Sequence, residues 1–398
     1  MTMDRSRSVV SCSAASGWLA TVFILSVLCG AQSQTTPFSG ISLSTEMRVQ
    51  NAEWWPTKGD KPREDYVGTP ECAKCHAAKA AAYKDAAMSQ ASMPPLQSPS
   101  LRRYDHFAFQ QGPYAYEWVT TAEGSTLKVT QGSASISVDL LWAFGLGRMG
   151  QTPLYRWHNA FYESRVSYYS SPGALDITPG HAREIPAALE DALGRQQEPS
   201  EIQRCFGCHS TASTTNNQFD PGHAFPGVTC EACHGPGARH IAAIKAGTEN
   251  ATDSILNPGR LEPVDSVDFC GACHRTWQDV VGGGLMGVGI LNIRFAPYRL
   301  ENSKCWKRQD ARITCIACHD PHKPLVREAS SYDSRCLQCH KLRGASKSSL
   351  AIAKIAACPV AVQNCVTCHM PKYEPLNLHS SFTDHWIRIA RPGKPYPN

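Results

Sequence analysis

Seven copies of the pentapeptide C-x-x-C-H dominate this 398-residue chain and decide what it can fold around. Each copy places two thiols three positions apart and a histidine directly after the second thiol. Every C-x-x-C pair of the chain is followed by histidine. The paired cysteines are Cys72, Cys75, Cys205, Cys208, Cys230, Cys233, Cys270, Cys273, Cys315, Cys318, Cys336, Cys339, Cys365 and Cys368. The adjacent histidines are His76, His209, His234, His274, His319, His340 and His369.

Covalent haem attachment explains every position of this pattern. A zinc ribbon takes its second ligand pair from a distant knuckle and needs no histidine beside each pair. A thioredoxin-like redox pair has no such histidine rule either. In c-type attachment the two thiols bond the vinyl groups of one porphyrin, and the adjacent histidine becomes the proximal iron ligand. The sequence therefore predicts seven covalent haem c groups.

The N-terminal segment has the pattern of a secretory signal peptide. Arg5 and Arg7 precede a short apolar run over 18–28, which ends at Cys29-Gly30-Ala31. We predict a signal peptide over 1–31 and a periplasmic or extracellular protein of a Gram-negative type bacterium. Acylation of Cys29 and an uncleaved anchor helix are the alternatives.

Two cysteines of the predicted mature chain lie outside the motifs. They are Cys305 and Cys358, whereas Cys12 and Cys29 fall in the N-terminal segment. An even number of spare thiols in an oxidising compartment predicts a Cys305–Cys358 disulfide, which would stabilise the fold by about 3–4 kcal/mol. Two unpaired buried thiols are the alternative.

Hydrophobic periodicity divides the chain into four parts. After the signal peptide, 32–98 is a leader with the first motif. Residues 99–181 show alternating patterns, such as Tyr114, Tyr116 and Trp118, and a hairpin with His158 at its tip. Residues 182–398 return to helical periodicity and carry six motifs. We expect mostly helix and loop wrapped on stacked haems, with a small antiparallel β module between haems 1 and 2.

Eight further histidines are candidates for the distal side of the irons. We set aside His158, because a hairpin tip points into solvent. Seven then match seven irons, although a histidine outside a motif is more commonly an ordinary surface or core residue. Bis-histidine ligation lowers the reduction potential relative to histidine–methionine ligation. The predicted distal ligands are His106, His181, His223, His240, His322, His379 and His385.

Several segments resemble the multihaem cytochrome c superfamily, in particular its c-552/4-type members with doubled C-x-x-C-H. Its distant relatives include pentahaem nitrite reductases and octahaem hydroxylamine oxidoreductases. The resemblance covers 66–93 and 200–390. It implies that His240, His322 and His385 are distal ligands. The segments are "YVGTPECAKCH", "GVTCEACHGPGARH", "TCIACHDPH", "NCVTCHMPK" and "FTDHWIRI".

The chain also departs from the catalytic members of that group. Every motif ends in histidine, so the proximal lysine of the nitrite reductases is absent. An eighth C-x-x-C-H is absent from the sequence too, and no tyrosine cross-link of the hydroxylamine oxidoreductase type is visible. Related chains often carry a histidine after the first motif, where this chain has Met88 and Met93. Met88 is therefore an alternative axial ligand, although methionine also serves in ordinary helix packing.

These patterns favour an electron carrier, in which the haem chain itself is the function. The alternative is an oxidoreductase acting on a small nitrogen or sulfur species at one haem with an open position. Expected partners are redox proteins, with a membrane-bound, quinol-linked cytochrome as one candidate, and membrane association is not required. The formal charge of +5 indicates no nucleic-acid partner, because haem propionates offset it.

Overall fold

Ten antiparallel strands between the first two motifs form one sheet. The computed structural model describes residues 59–147, 149–283, 285–340, 358–391 and 396. The strands are β1 (Ser92–Met93), β2 (His106–Gln111), β3 (Tyr114–Thr120), β4 (Ser125–Gln131), β5 (Ala134–Phe144), β6 (Gly150–Trp157), β7 (Ala160–Ser164), β8 (Val166–Tyr169), β9 (Ala174–Ile177) and β10 (Gly194–Gln196). The main path runs β10-β7-β6-β5-β4-β3-β2, while β1 pairs with β5, and β8 pairs with β6 and β9.

The prediction of a mostly helical protein with a small β module is therefore wrong. The sheet is large because its long strand β5 has hydrogen-bonded neighbours along both of its edges. Strand β5 pairs with β4, β6 and β1. A register shift between Leu140 and Trp142 interrupts its ladder with β6. Such bulges bend a strand and increase its twist. Strand β10 then adds to the edge of β7.

Alternating aromatic and aliphatic side chains give this sheet its own hydrophobic core. On β3, Tyr114, Tyr116 and Trp118 are fully buried, as predicted from their spacing. Leu127 and Val129 of β4 are buried with them. Burial of side chains this large is the main stabilising contribution to a small sheet.

The hairpin predicted at "PLYRWHNAFYE" is confirmed. Strands β6 and β7 pair as far as Trp157 and Ala160, so His158 and Asn159 form a two-residue turn. Both turn residues have positive φ, 47° and 62°. This is the geometry of a type I′ turn, whose twist matches that of the strands.

The motifs lie on short helices. The longest helix of the described residues spans twelve positions, and most have five or fewer. The segment "EIPAALEDALGRQ", in the part predicted to be helical, forms a helix only over Leu189–Leu193 and then continues into strand β10. The helices are α1 (Thr69–Ala73), α2 (Ala77–Tyr83), α3 (Pro99–Arg103), α4 (Leu189–Leu193), α5 (Pro199–His209), α6 (Cys230–His234), α7 (Ala238–Lys245), α8 (Pro263–His274), α9 (Trp277–Val281), α10 (Ala296–Glu301), α11 (Cys315–Cys318), α12 (Asp333–Leu337) and α13 (Cys365–His369).

Three two-stranded ladders complete the β-structure of the described residues. They pair β11 with β14, β12 with β13 and β15 with β16. Their strands are β11 (Ser210–Thr211), β12 (Thr214–Thr215), β13 (Gln218–Phe219), β14 (Phe225–Pro226), β15 (Lys372–Tyr373) and β16 (Phe382–Thr383).

The predicted signal peptide over 1–31, the leader up to residue 58, and Cys12 and Cys29 lie outside the described residues. Within the described part, no helix combines the length and apolar character that crossing a bilayer requires.

Candidate haem-binding site

A single helical turn gives each described motif its shape. The backbone N–H of His76 donates to Cys72 O at 2.9 Å, and His319 donates to Cys315 O at 2.9 Å. These are i to i−4 bonds of an α-helical turn, which places residues three and four apart on one face. Both thiols and the histidine of a motif therefore face the same side, as bonding one porphyrin edge and one iron requires.

Backbone carbonyls fix the tautomer of several motif histidines. The Nδ1 of His209 lies 3.0 Å from Ala91 O, that of His234 2.8 Å from Leu256 O, and that of His369 2.9 Å from Arg388 O. A carbonyl oxygen only accepts, so Nδ1 carries the proton in each case. The lone pair of Nε2 is then available for a metal, an arrangement typical of metal-ligating histidines. These residues fit covalent haem.

Burial favours the neutral form of three motif histidines. It lowers the pKa of His209, His274 and His319. His385, outside the motifs, has its pKa lowered to about 4, chiefly by burial and then by the neighbouring His319. A neutral imidazole is the form that binds a metal.

Two of the predicted distal histidines have their rings close to those of motif histidines. The rings of His234 and His322 have centroids 6.0 Å apart with planes inclined by 17°. The rings of His319 and His385 have centroids 6.2 Å apart. His240, the third histidine implied by the resemblance, donates its Nδ1–H to Ala251 O at 3.1 Å. That bond gives it the same tautomer as the motif histidines.

The other four predicted distal histidines lie against carboxylates. His106 on β2 is 3.9 Å from Glu117 and half exposed. The contacts of the other three are shorter, 3.2 Å for His181 with Glu163, 2.6 Å for His223 with Asp220, and 2.8 Å for His379 with Asp176. None of these four rings has a ring contact with a motif histidine in the described part of the chain.

Three comparisons with known proteins bear on this arrangement. The family model "Cytochrome c554 and c-prime" matches residues 178–235, a range that contains two complete motifs. The chain is a multihaem cytochrome c. Multiheme cytochrome MtrA of Shewanella baltica (strain OS185) is 23% identical over 229 residues, which cover 54% of this chain and 57% of that protein. The chain thus matches little more than half the length of that relative.

A solved structure is also similar to this cytochrome. The crystal structure of the outer cell wall cytochrome OcwA superposes with a TM-score of 0.45 and 15% sequence identity. The superposition covers 81% of this chain and 80% of the other.

A buried glutamate connects the first and third motifs of the cytochrome. Glu231, inside the motif Cys230–His234, is 1% exposed. Its carboxylate accepts the backbone N–H groups of Val67 at 2.9 Å, Gly68 at 2.7 Å and Gly237 at 2.8 Å. Charge-assisted bonds of this kind are among the strong ones. Sequence reasoning missed this residue, because the x positions of C-x-x-C-H carry no rule.

An aspartate connects the sixth and seventh motifs in the same way. Asp333 accepts the backbone N–H of Asn364 at 2.7 Å and that of Cys365 at 2.9 Å. These bonds lower the pKa of the Asp333 carboxyl, with that of Cys365 the largest cause. The carboxylate thus caps the start of α13 from another segment, at the end where the helix dipole favours an anion.

A buried ion pair holds the C-terminal segment of the cytochrome. Arg299 on α10 donates to Asp384 through Nε at 2.8 Å and Nη2 at 2.9 Å, and neither side chain is exposed. Arg388 donates to the same carboxylate. Asp384 immediately precedes His385, and Arg388 supplies the carbonyl that accepts from His369. One carboxylate therefore fixes the backbone around two histidines of the haem-binding region.

The predicted Cys305–Cys358 disulfide is not formed, since both residues are free thiols. Burial raises the pKa of Cys305, whereas backbone hydrogen bonds from Ala361 and Val360 lower that of the exposed Cys358. Met88, the alternative axial ligand, begins a short 3-10 turn, and its carbonyl accepts from Val228 N at 3.0 Å. That bond adds to the contact between the first and third motif segments.

Proposed function

We propose that this multihaem electron-transfer cytochrome is an exported heptahaem protein that carries electrons along a chain of mainly bis-histidine haems. Bound haem would supply an iron that exchanges between ferric and ferrous states. The polypeptide sets the positions, axial ligands and surroundings of the irons. The observation that carries the proposal is the pairing of motif histidines with distal histidines at a separation suited to one iron.

The separation follows from bond lengths. A metal–imidazole bond is about 2 Å long. The ring centroid lies roughly 1 Å beyond the nitrogen, given ordinary covalent bond lengths. Two rings on opposite sides of one metal ion are therefore about 6 Å apart, centroid to centroid. The pairs His234–His322 and His319–His385 lie at 6.0 and 6.2 Å. His240, which the resemblance also implies, completes the set of three histidines that we assign to the distal side of the irons.

A second candidate function has support from a different observation. His106, His181, His223 and His379 face carboxylates, and each is needed if all seven irons are to have two histidines. An iron without a distal ligand could bind a small nitrogen or sulfur species and act as an oxidoreductase centre. The carrier and the oxidoreductase differ in whether one iron lacks a distal ligand. A spectroscopic measurement of the spin state of the irons therefore distinguishes them.

The mature protein should first show seven haem additions in its mass spectrum. The carrier proposal then expects only low-spin ferric signals in its EPR spectrum and little binding of carbon monoxide after reduction. A stoichiometric high-spin haem that binds carbon monoxide would favour the oxidoreductase. Six or fewer haem additions would contradict the heptahaem assignment in either case.

We further propose export to the periplasm or the cell exterior and transfer to redox partner proteins, with a membrane-bound, quinol-linked cytochrome as one candidate. The motif pattern supports export, because bacterial c-type haem is attached outside the cytoplasm. N-terminal sequencing of the purified cytochrome tests this part. A mature chain that begins near Gln32 is the expected result, and retention of residues 1–31 would contradict cleavage.

A further inference from the structure

The second attachment motif lies at the end of a helix that packs on the ten-stranded sheet. Haem 2 denotes here the haem of this motif, Cys205–His209. Helix α5 buries Ile202 and Phe206 in a small core that it shares with Phe144 of strand β5. Cys205 packs against the same core. Residues three and four apart share one face of a helix. The face of α5 that meets the sheet therefore also carries an attachment thiol.

Aromatic rings continue this contact from the helix to the motif histidine. The ring of Phe206 meets that of Phe144 edge to face, with centroids 5.1 Å apart and planes at 89°. Phe144 then meets the imidazole of His209 in the same geometry, at 5.2 Å and 81°. Edge-to-face contacts are a preferred arrangement of neighbouring rings and depend on the angle between their planes. Phe144 therefore restricts the rotation of the His209 ring about its Cβ–Cγ bond.

Hydrogen bonds beside the short strand β1 hold the same histidine. Ser92 donates its hydroxyl to His209 O at 2.6 Å, and Ala91 O accepts from His209 Nδ1 at 3.0 Å. Ser92 is 1% exposed and pairs with Phe144 in the ladder between β1 and β5. His209 is thus held at its carbonyl by Ser92 and at its ring by Ala91 and Phe144. These contacts all come from one place on the sheet.

This connection distinguishes the second motif from the others. His234 and His369 also donate through Nδ1, as His209 does. Their acceptors, Leu256 O and Arg388 O, lie outside the sheet. Among the motif histidines of the described residues, only His209 has a ring contact or a hydrogen bond with a residue of the ten strands. The sheet is therefore in direct contact with the histidine of one motif.

We propose that Ser92 and Phe144 are positioning residues for the proximal ligand of haem 2, so that the sheet sets the redox and spectroscopic properties of that haem. This proposal rests on the proposed function, in which His209 is that ligand, and goes beyond it. Hydrogen bonds to a metal-ligating histidine orient its ring and raise its basicity. A more basic imidazole favours ferric iron, so weaker contacts raise the reduction potential. The orientation of the axial imidazole planes also determines the EPR signal of a low-spin haem.

The variants Ser92→Ala and Phe144→Leu test this in the full-length, haem-loaded cytochrome. Each removes one contact of His209 and leaves its carbonyl acceptor, Ala91 O, in the chain. We expect the ferrous-to-ferric ratio of haem 2 at a fixed potential to rise by about tenfold, which corresponds to about 59 mV for one electron. A redox titration followed by EPR measures this shift. The signal of haem 2 should also change its shape, while the signals of the other haems keep their positions.

Three further variants assign the signal and control for stability. His209→Met keeps both thiols and exchanges only the proximal ligand, so the EPR signal that it alters is that of haem 2. Val129→Ala removes volume from the separate core around Trp118 and destabilises the sheet without touching His209. It should leave all haem signals unchanged. Phe144→Tyr retains the ring edge and should keep the signal and the potential that Phe144→Leu changes.

The proposal is overturned if haem 2 keeps its signal and potential in the folded variants, or if Val129→Ala shifts them equally. Shifts spread over several haems would overturn it too. Circular dichroism verifies each fold, and Ser92→Ala, the milder change, carries the test by itself where Phe144→Leu does not fold. Failure of the carrier function is distinguishable. A high-spin iron that binds carbon monoxide in the unmodified protein would favour the oxidoreductase and leave the dependence of haem 2 on Ser92 as it is.

Discussion

The β-sheet between the first two motifs and the motif-bearing segments after it are stabilised in different ways. The sheet buries Trp118, Tyr116 and Leu127 in a core of side chains. The motif segments consist of short helices held to one another by carboxylates such as those of Glu231 and Asp384. Side-chain burial is available before any cofactor is attached. We therefore expect the sheet to fold without haem, and we expect the motif segments to need haem as the apolar body around which they pack.

Loss of all haem should have the largest effect. It should destabilise the motif segments and leave the sheet folded. In the full chain expressed without haem attachment, we expect amide protection over 105–178 to persist and protection over 199–391 to be lost. Hydrogen exchange measured by mass spectrometry checks this, with the haem-loaded cytochrome as control. Equal loss in both regions would show that the sheet also depends on haem.

The variant Trp118→Ala should be the strongest single substitution in the sheet. It removes a fully buried ring and its 2.7 Å hydrogen bond to Ser125 Oγ. The free energy of unfolding of the sheet should fall by about 4 kcal/mol, while the haem absorption spectrum of the folded protein stays unchanged. Denaturation followed by circular dichroism gives the first value. Lys128→Ala on the exposed face of β4 is the matched control.

The variant Asp384→Asn should act on the haem-binding side. Breaking a buried ion pair costs about 3 kcal/mol, and here it also frees the backbone around His385 and Arg388. We expect altered EPR signals of two haems, those that His385 and His369 serve. Asp253→Asn, in an exposed pair with Arg260, should cost less than about 1 kcal/mol. Unchanged spectra in a folded Asp384→Asn protein would contradict the positioning role.

The variant Glu231→Gln should have a smaller and more local effect. One of its two carboxylate oxygens becomes an NH₂ group that cannot accept, so the bonds from Val67, Gly68 and Gly237 cannot all remain. A loss of about 2 kcal/mol is expected for a charged acceptor. Faster hydrogen exchange should be confined to 66–88 and the neighbouring third motif. The exposed Glu71, which pairs with Lys74, supplies the control Glu71→Gln.

The smallest effect is expected for His158→Ala. This residue lies at the tip of the β6–β7 hairpin with a φ of 47°, so alanine there adds the strain of the left-handed conformation and loses the ring contact with Trp157, whose centroid is 4.3 Å away. The visible and EPR spectra should be those of the unmodified cytochrome. A new high-spin signal would make His158 an iron ligand and remove the distinction between the sheet and the haem-binding side.

The strands of the sheet could be predicted one by one, but its extent could not. Alternation identified β3 and β4, and the turn residues identified the β6–β7 hairpin, because these signals are local. The partners of β1 and β10 are distant in sequence: Ser92 pairs with Phe144 and Gly194 with Ser164. The continuous apolar end of β5 also hides its alternation. Non-local pairing of short edge strands leaves no periodic signal in the sequence, so the prediction underestimated the number of strands in the sheet.

Spacing alone predicts the attachment sites, whereas it does not predict the distal ligands. C-x-x-C-H encodes its geometry within five residues. A distal histidine depends on what its ring meets in space. His379 meets Asp176, 203 positions away, and His181 meets Glu163. The number of available histidines matched the number of irons, but that number carries no information on contacts with these carboxylates. The resemblance to other cytochromes gave more specific candidates, because it singled out His322 and His385, whose ring centroids lie 6.0 and 6.2 Å from those of motif histidines.

The three bonds of Glu231 also constrain how the cytochrome is made. Two of them reach back 163 and 164 positions to Gly68 and Val67. In the export that we propose, with the N-terminus leading, the first motif would emerge long before Glu231. Its closing contact would then still be missing, so haem attachment would meet that motif as an open peptide. Synthesis order and folding order would diverge, because the first motif belongs to a segment whose closing contact forms only when the third motif arrives.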